Sequence, residues 1–292
     1  MAAAHAIVGV SAHYMLVRGL ARFIAGSGSR STNPVQVGVC WIGRHRSLHS
    51  VTECATVSRM SLAAVKDAIL GATDAAALEL VAAYFKPGKF AGATFDCLGE
   101  NPNDRFTADD IVAVTLLDVR LPPIAVRAIL EQAHDELNAL LARIPSDKAL
   151  WEADVDLFGA YELWRTLREV PDIGPTLASK LLSRKRPMML PIVDSVIRKS
   201  LRLENSDSWQ MLRAVLTEET VRERIDALRP VGSPYQPTTL RLLDVATWMR
   251  FSESTAARNE RSKIGLPVAQ RQDQSRRGRQ EILTAQEANS GD

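Results

Sequence analysis

Residues 170–174 form the feature that most constrains the fold of this chain, a Val-Pro-Asp-Ile-Gly turn between two segments of helix-forming composition. Gly174 can adopt a positive φ at little cost, and Pro175 suits the first turn of a helix, where its missing N–H has no partner to lose. Ile173 is expected to fill the angle between the two helices, and the small Ala178 allows them to approach closely. The sequence therefore predicts a helical hairpin.

The segment after this turn is strongly basic. Seven basic residues and a single acid, Asp194, lie between positions 180 and 202; the basic residues are Lys180, Arg184, Lys185, Arg186, Arg198, Lys199 and Arg202. A helical hairpin points unpaired backbone N–H groups and a helix N-terminus outwards, which suits a phosphate, and such a charge excess suits a DNA backbone. From charge alone, a plain hairpin with a solvated basic face is the preferred interpretation. The motifs described next reverse that preference.

Two short motifs make residues 161–203 resemble the helix-hairpin-helix DNA glycosylases, the superfamily of endonuclease III and 3-methyladenine glycosylase. Val170-Pro-Asp-Ile-Gly174 is similar to the superfamily's Leu-Pro-Gly-Val/Ile-Gly hairpin, and Ile192-Val-Asp-Ser-Val-Ile-Arg198 is similar to its Val-Asp-Thr-His-Val-x-Arg segment. Gly174 and Asp194 are 20 residues apart (194 − 174), which also suits the superfamily. A looser resemblance covers residues 80–251, a stretch that also resembles an uncharacterised bacterial family of unknown function.

The resemblance implies a site on double-stranded DNA that is built around a catalytic aspartate. In that site Asp194 stabilises the positive charge that develops on the sugar as the N-glycosidic bond breaks, and it orients or deprotonates the attacking water. The alternative for Asp194 is a structural role as the N-cap of a helix that begins at Ser195. The residues implied in DNA binding are Ile173, Gly174, Thr176, Lys180, Arg184, Lys185, Arg186 and Arg198.

A glycosylase must move its target base out of the duplex, so a pocket with aromatic walls is expected. The candidates for lining that pocket are Tyr161, Trp164 and Trp248, and the candidate for filling the gap left in the duplex is Arg120. Packing in the core is the alternative for each aromatic residue. Asp118 and Asp244 lie in apolar helical runs, where they are either secondary catalytic carboxylates or buried, paired structural acids.

Three departures from the superfamily pattern matter for the chemistry. Asp172 replaces the first glycine of the hairpin, and the turn survives because Asp tolerates a left-handed conformation better than most residues. Thr176 occupies the place of the nucleophilic lysine of the bifunctional glycosylase/lyases, so the resemblance implies a monofunctional enzyme without lyase activity. Neither a metal nor an organic cofactor is expected, because zinc or iron–sulfur spacing is absent from the three cysteines, Cys40, Cys54 and Cys97.

Hydrophobic periodicity predicts a mainly all-α chain, and the resemblance implies a helical bundle like that of the helix-hairpin-helix DNA glycosylases. A small β element is expected near residues 84–97, which are rich in glycine and aromatic residues. Residues 51–251 are predicted to form the core, with the helix-hairpin-helix at 161–203. Residues 1–50 are predicted to be a peripheral extension with a linker, and the polar residues 252–292 a disordered tail.

The leading interpretation is a monofunctional DNA glycosylase that hydrolyses the N-glycosidic bond of a damaged or modified base and leaves an abasic site. Divergence from the common repair enzymes favours an unusual base, such as a bulky modified pyrimidine of phage DNA, which would imply antiviral defence. The alternative is a non-catalytic helix-hairpin-helix protein that binds the DNA backbone. Because the sequence contains no apolar run long enough for a membrane span, we expect a cytoplasmic protein without membrane contact or an obligate protein partner.

Overall fold

The computed structural model describes residues 51–203 and 207–266, with the backbone alone for residues 51–60. This part of the chain contains twelve α-helices and no β-strand, which confirms the predicted all-α fold. The helices are α1 (Val51–Ala72), α2 (Ala75–Tyr84), α3 (Ala108–Thr115), α4 (Pro123–Arg127), α5 (His134–Ala142), α6 (Phe158–Glu169), α7 (Pro175–Lys185), α8 (Ser195–Ser200), α9 (Ser208–Leu216), α10 (Glu219–Asp226), α11 (Thr239–Phe251) and α12 (Thr255–Lys263). The predicted extension at residues 1–50 lies outside the described residues.

The β element expected near residues 84–97 is not formed in the described structure. Ala91–Thr94 instead form one turn of 3-10 helix, in which Phe95 donates its backbone N–H to the carbonyl oxygen of Gly92 at 3.2 Å. The glycine and aromatic residues that suggested a hairpin serve packing, since Gly92 and Phe95 are both buried.

Side-chain caps fix the starts of several helices. Thr107 and Asp110 form a complete capping box at the start of α3, as the sequence predicts for this segment. The first turns of α2, α9, α11 and α12 donate backbone N–H groups to the side chains of Asp74, Asp207, Thr238 and Ser254. These caps fix the residue at which each of the five helices begins.

One predicted helix is interrupted. The sequence predicts a single helix over residues 122–141, whereas the structure has α4, a π-helical turn (Ala128–Gln132) and α5. Ala133 donates its N–H to the carbonyl oxygen of Ala128 at 2.8 Å, a bond that spans five residues where an α-helix spans four. One extra residue rotates the side chains that follow by about 100°, because a helical turn holds 3.6 residues.

Helix α11 lies at the centre of the described fold and packs against α1, α2, α8, α10 and α12. Ten of its 13 residues are buried, and they include Arg241 and Asp244. Charged groups at such positions need partners inside the fold. The hairpin lies beside this centre, because α7 packs against α3 and α6 while α8 packs against α11. The start of α8, where Asp194 stands, is therefore close to the central helix.

The chain continues to fold beyond residue 251, which corrects the prediction of a disordered tail for residues 252–266, whereas residues 267–292 of the predicted tail lie outside the described residues. Helix α12 begins at the N-cap Ser254 and packs against α2 and α11. The buried guanidinium of Arg261 donates to the carbonyl oxygens of Met249 and Ser252 at 2.7 and 2.8 Å. The segment is polar and is attached largely by hydrogen bonds, which hydropathy does not register. Among the described helices, none is long and apolar enough to cross a membrane.

Candidate active site

The predicted hairpin is present between α6 and α7. The N–H of Ile173 donates to the carbonyl oxygen of Val170 at 3.2 Å and closes the turn, and the side chain of Ile173 is buried beneath it. Asp172 takes the left-handed conformation, with a φ of 65°, whereas Gly174 has an ordinary φ of −77°. The positive φ expected at Gly174 is thus wrong, and Asp172 bends the chain in its place.

Gly174 leaves the outer face of the turn open. A Cβ at this position would meet no atom within 4 Å, so no contact within the described chain requires a glycine there. The absence of a side chain instead lets another molecule come close to the backbone. Pro175 is the first residue of α7, as predicted, and the half-buried Thr176 follows it.

The basic residues at the end of α7 lie inside the fold, which corrects the predicted phosphate contacts of Arg184, Lys185 and Arg186. Their exposed fractions are 0%, 1% and 2%. Arg184 and Lys185 form ion pairs with the buried carboxylate of Asp110 in α3. Arg186 donates to four backbone carbonyl oxygens at 2.7 to 2.9 Å. These three side chains therefore fasten α7 to its neighbours and are not available to DNA.

A hydrogen-bonded link to α7 positions Asp194. Ser179 donates its hydroxyl to the carbonyl oxygen of Pro191 at 3.2 Å and accepts the N–H of Val193 at 2.7 Å. Asp194 follows as the N-cap of α8, and its Oδ1 accepts the N–H of Ile197 at 2.9 Å. Its Oδ2 has no hydrogen-bond donor among the described residues. The half-buried carboxylate is thus held in place through one oxygen while the other remains free.

Asp194 opens into a cavity of about 210 Å³ between α7, α11 and residues 84–92, here named the Asp194 cavity. Its charged lining consists of Asp118, Lys180, Asp194, Arg241 and Asp244. The volume is about seven times the ~30 Å³ share of one liquid water, so a flat ring of nucleobase size fits. This cavity therefore brings together the three carboxylates that were considered from the sequence, Asp118, Asp194 and Asp244.

Three aromatic side chains form one wall of the Asp194 cavity. The rings of Tyr84 and Phe90 are stacked, with centroids 5.0 Å apart and 20° between their planes. Trp248 stands edge-on to both, at 6.2 and 6.3 Å. Gly92 lies against this wall, and a Cβ there would fall on the Tyr84 hydroxyl. Of these three residues, only Trp248 is predicted from the sequence. The aromatic-rich segment 84–97 is the signal that could have identified Tyr84 and Phe90.

Lys180 lies inside the Asp194 cavity, away from the outer face of α7 where a phosphate contact was expected. Its side chain is 5% exposed, and Nζ donates to the carbonyl oxygen of Leu117 at 2.9 Å. Burial lowers the pKa of this ammonium group, and the charges of Asp194 and Asp244 oppose the shift. The cavity therefore has a buried cation facing its carboxylates.

Arg241 and Asp244 form a buried ion pair on the α11 side of the cavity. Arg241 also lies 3.2 Å from the carboxylate of Asp96 and donates to the Tyr84 hydroxyl at 3.1 Å. Burial raises the pKa of Asp244 to about 6; the charge of Asp194 acts in the same direction, and Arg241 opposes both. Asp244 is thus a buried, paired structural acid, which was one of its two predicted alternatives. Its position at the cavity is also compatible with the other alternative, a secondary catalytic carboxylate.

Tyr161 and Trp164 line a different cavity, which corrects their assignment to the base pocket. This second cavity, of about 240 Å³, also contains Arg198 and is here named the Arg198 cavity. Arg120 is exposed and lines neither cavity. Across residues 61–203 and 207–266, no three His, Cys, Asp or Glu side chains are grouped so that they could hold a metal ion.

Comparison with known proteins identifies a family but no activity. Residues 77–251, more than half of the chain, match a family of unknown function (DUF6308). No curated protein and no solved structure matches the chain. The matched range begins in α2 and ends with α11, so it contains the hairpin, Asp194 and all three residues of the aromatic wall.

Proposed function

The chain belongs to the DUF6308 family, and for this member we propose the activity of a monofunctional DNA glycosylase that hydrolyses the bond between a damaged or modified base and its sugar. The observation that carries the proposal is the Asp194 cavity, in which a carboxylate with a free oxygen shares one enclosed space with a wall of three aromatic rings. Asp194 follows the helical hairpin in the chain, and this hairpin is the element proposed to bind the DNA strand.

The aromatic wall supports the binding of an extruded base. A flat ring that enters the cavity gains contact with the faces and edges of Tyr84, Phe90 and Trp248 and loses contact with water. Lys180 and Arg241 also line this cavity and bring N–H donors for ring nitrogens or exocyclic oxygens. A largely apolar cavity with a few convergent polar groups is the usual form of a small-molecule site.

Asp194 supports the chemical step. As the bond between C1′ and the base nitrogen breaks, its electron pair leaves with the base, and positive charge grows on the sugar. The carboxylate of Asp194 stabilises that charge, and it takes a proton from the water whose oxygen bonds to C1′. Because Oδ1 is already fixed by the N–H of Ile197, the free oxygen needs little reorganisation.

Lys180 acts through its charge in this proposal. Its Nζ is bound to the carbonyl oxygen of Leu117, and its ammonium group offsets the repulsion between Asp194 and Asp244 in the cavity. The enzyme then uses water as the nucleophile and leaves the DNA strand uncut at the abasic site. This matches the expectation from Thr176, which stands where related lyases carry their amine.

DNA binding falls to the turn and to exposed cations on α6, on α8 and directly after α8. The outer face of the turn is open at Gly174. The exposed basic residues on α6, on α8 and directly after α8 are Arg165, Arg168, Lys199 and Arg202. Since the three basic residues at the end of α7 are buried, we expect fewer phosphate contacts than the sequence suggests, and a correspondingly shallow dependence of DNA affinity on salt.

The test compares wild type with Asp194→Asn on duplexes that carry different damaged or modified bases, bulky phage-type pyrimidines included. Alkali then cleaves the strand at any abasic site. Asn is as good an N-cap as Asp, so the variant keeps the start of α8 and loses only the negative charge. We expect strand breaks with wild type and at least a ~100-fold lower rate with Asp194→Asn, the lower end of what a positioned acid–base group contributes.

Asp74→Asn provides a matched control, because Asp74 is also an aspartate N-cap but lines neither the Asp194 cavity nor the Arg198 cavity. This variant is expected to keep its glycosylase rate. Equal rates for wild type and Asp194→Asn would contradict the catalytic role of Asp194. If wild type binds duplex DNA but forms no abasic site on any substrate, the protein is a non-catalytic DNA-binding protein and not a glycosylase.

A further inference from the structure

The Arg198 cavity lies on the other side of the segment that holds Asp194. Ser179 and Val193 line the Arg198 cavity, whereas their chain neighbours Lys180 and Asp194 line the Asp194 cavity. The backbone of these two residue pairs is therefore a wall shared by the two cavities.

Arg198 is a half-buried cation without a partner in the described structure. Its guanidinium makes no hydrogen bond and no ion pair with any residue of 61–203 or 207–266, the ranges whose side chains are described. Every other buried or half-buried arginine in those ranges has such a partner: Arg184, Arg186, Arg213, Arg222, Arg229, Arg241, Arg250 and Arg261. Withdrawing a guanidinium from water without a counter-charge is costly, so this arrangement favours an anion supplied from outside.

The acid within the Arg198 cavity does not neutralise Arg198. Asp207 accepts the hydroxyl of Tyr161 at 2.6 Å and also accepts the backbone N–H groups of Trp209 and Gln210 at 3.2 and 3.3 Å. Burial, together with the hydrogen bond to Asp207, raises the pKa of the Tyr161 hydroxyl, which therefore stays neutral. The lining thus carries one positive charge, that of Arg198, and one negative charge, that of Asp207, whose oxygens are already engaged by hydrogen-bond donors.

The walls of the Arg198 cavity are aromatic. The rings of Tyr161 and Trp209 are stacked, with centroids 4.8 Å apart and 30° between their planes. Trp164 is half-buried and lies beneath the guanidinium of Arg168, whose carbon is 4.9 Å from the ring centroid. Aromatic faces beside an unpaired guanidinium suit a ligand that combines a flat ring with an anionic group, which describes a nucleotide.

We propose that the Arg198 cavity binds one nucleotide unit of a DNA strand, with its base against Trp164, Tyr161 and Trp209 and its phosphate at Arg198. The proposal deepens the proposed function, because it names the ligand as a neighbour of the nucleotide that enters the Asp194 cavity. The binding itself requires no hydrolysis. Holding a neighbouring nucleotide outside the stack would stabilise the distorted strand from which the target base is extruded.

The test uses the full chain with 5-fluorotryptophan and follows each tryptophan by fluorine NMR. Thymidine 5′-monophosphate should shift the signals of Trp164 and Trp209, and thymidine without phosphate should bind about tenfold more weakly, as expected for loss of a charged hydrogen bond. Inorganic phosphate alone should bind more weakly still. A single-stranded decanucleotide should displace the monophosphate from the same tryptophans.

Arg198→Gln should remove the advantage of the monophosphate over thymidine, whereas Arg127→Gln, an exposed position on α4 that lines neither cavity, should keep it. Trp164→Leu is the second variant and should weaken the monophosphate without changing the binding of inorganic phosphate. Each comparison is made with variants whose Tm matches that of wild type.

Four results would overturn the proposal: equal affinities for thymidine and its monophosphate, an unchanged affinity in Arg198→Gln, shifts confined to Trp248, or a monophosphate that the decanucleotide does not displace. Asp194→Asn should bind the monophosphate as wild type does. Failure of the glycosylase assay and failure of this site are therefore distinguishable.

Discussion

The cluster of buried charges around Asp110 yields a sharp prediction about stability. Asp110→Ala removes the carboxylate that pairs with Arg184 and Lys185, and all three side chains are 0% exposed. Breaking a buried ion pair by removing one partner costs about 3–5 kcal/mol, because the remaining charge is left without compensation. Loss of the capping box at the start of α3 adds about 1 kcal/mol. We therefore expect the free energy of unfolding to fall by about 4–6 kcal/mol.

This loss is large compared with the total stability of about 5–15 kcal/mol of an ordinary domain. Urea unfolding followed by circular dichroism at 222 nm measures it directly. The control is Glu131→Gln, which breaks the exposed ion pair with Arg127, whose side chain is 65% exposed, and it should change stability by less than about 1 kcal/mol.

A loss below about 1 kcal/mol in Asp110→Ala, the value typical of an exposed pair, would refute the reasoning. It would mean that the two cations of α7 find solvent or another partner. In that case the basic segment would again be free to contact phosphate.

Further predictions concern charge, pH, the nucleophile and the chain end. Arg186→Gln should lower stability but leave the slope of log DNA affinity against log salt unchanged in fluorescence anisotropy; a slope smaller by about 1 would make Arg186 a phosphate contact. Because burial raises the pKa of Asp244 to about 6 from its ordinary value of 3.8, the folded state keeps a proton that the unfolded state releases between these values. The free energy of unfolding should therefore fall as the pH rises from about 4 to about 7, and urea melts of Asp244→Asn should show a weaker fall than wild type. Sodium borohydride added during turnover should trap no protein–DNA adduct, whereas an adduct that Lys180→Gln abolishes would assign the attack on C1′ to the amine. Truncation after residue 251 should lower Tm and glycosylase activity relative to truncation after residue 266, because it removes α12 and the part of the cavity wall at Ser254 and Ala256; equal values would show that α12 is dispensable.

The hairpin and the start of α8 were predictable because local rules decide them. Pro175 has a fixed φ that suits the first turn of a helix, and Asp172 tolerates the left-handed conformation, so the turn follows from its own residues. Asp194 precedes a helix and caps it with its own side chain. None of these features depends on a distant part of the chain, and each can be read from the sequence.

The environment of the basic residues was not predictable from local rules. Arg184 meets Asp110, which lies 74 positions earlier, and Arg186 meets carbonyl groups that are 42 to 45 positions earlier at Ile144 and Leu141. A count of charges along the chain cannot distinguish a solvated cation from one enclosed by such partners. The same limit applies to the aromatic wall, since Tyr84 and Trp248 are 164 positions apart (248 − 84).

The burial of α11 on nearly all sides has a consequence for selectivity. Arg241, Asp244 and Trp248 project from a helix that is wedged among five others, so this part of the recess cannot widen without breaking close-packed contacts. The shape of this part of the cavity is set before a ligand binds, and a ligand of matching shape loses little conformational freedom on binding. Ligands that are too large should be excluded at the mouth of the cavity, where the exposed residues Asp118 and Ala256 lie. The range of accepted ligands should therefore depend on those two positions more than on the interior.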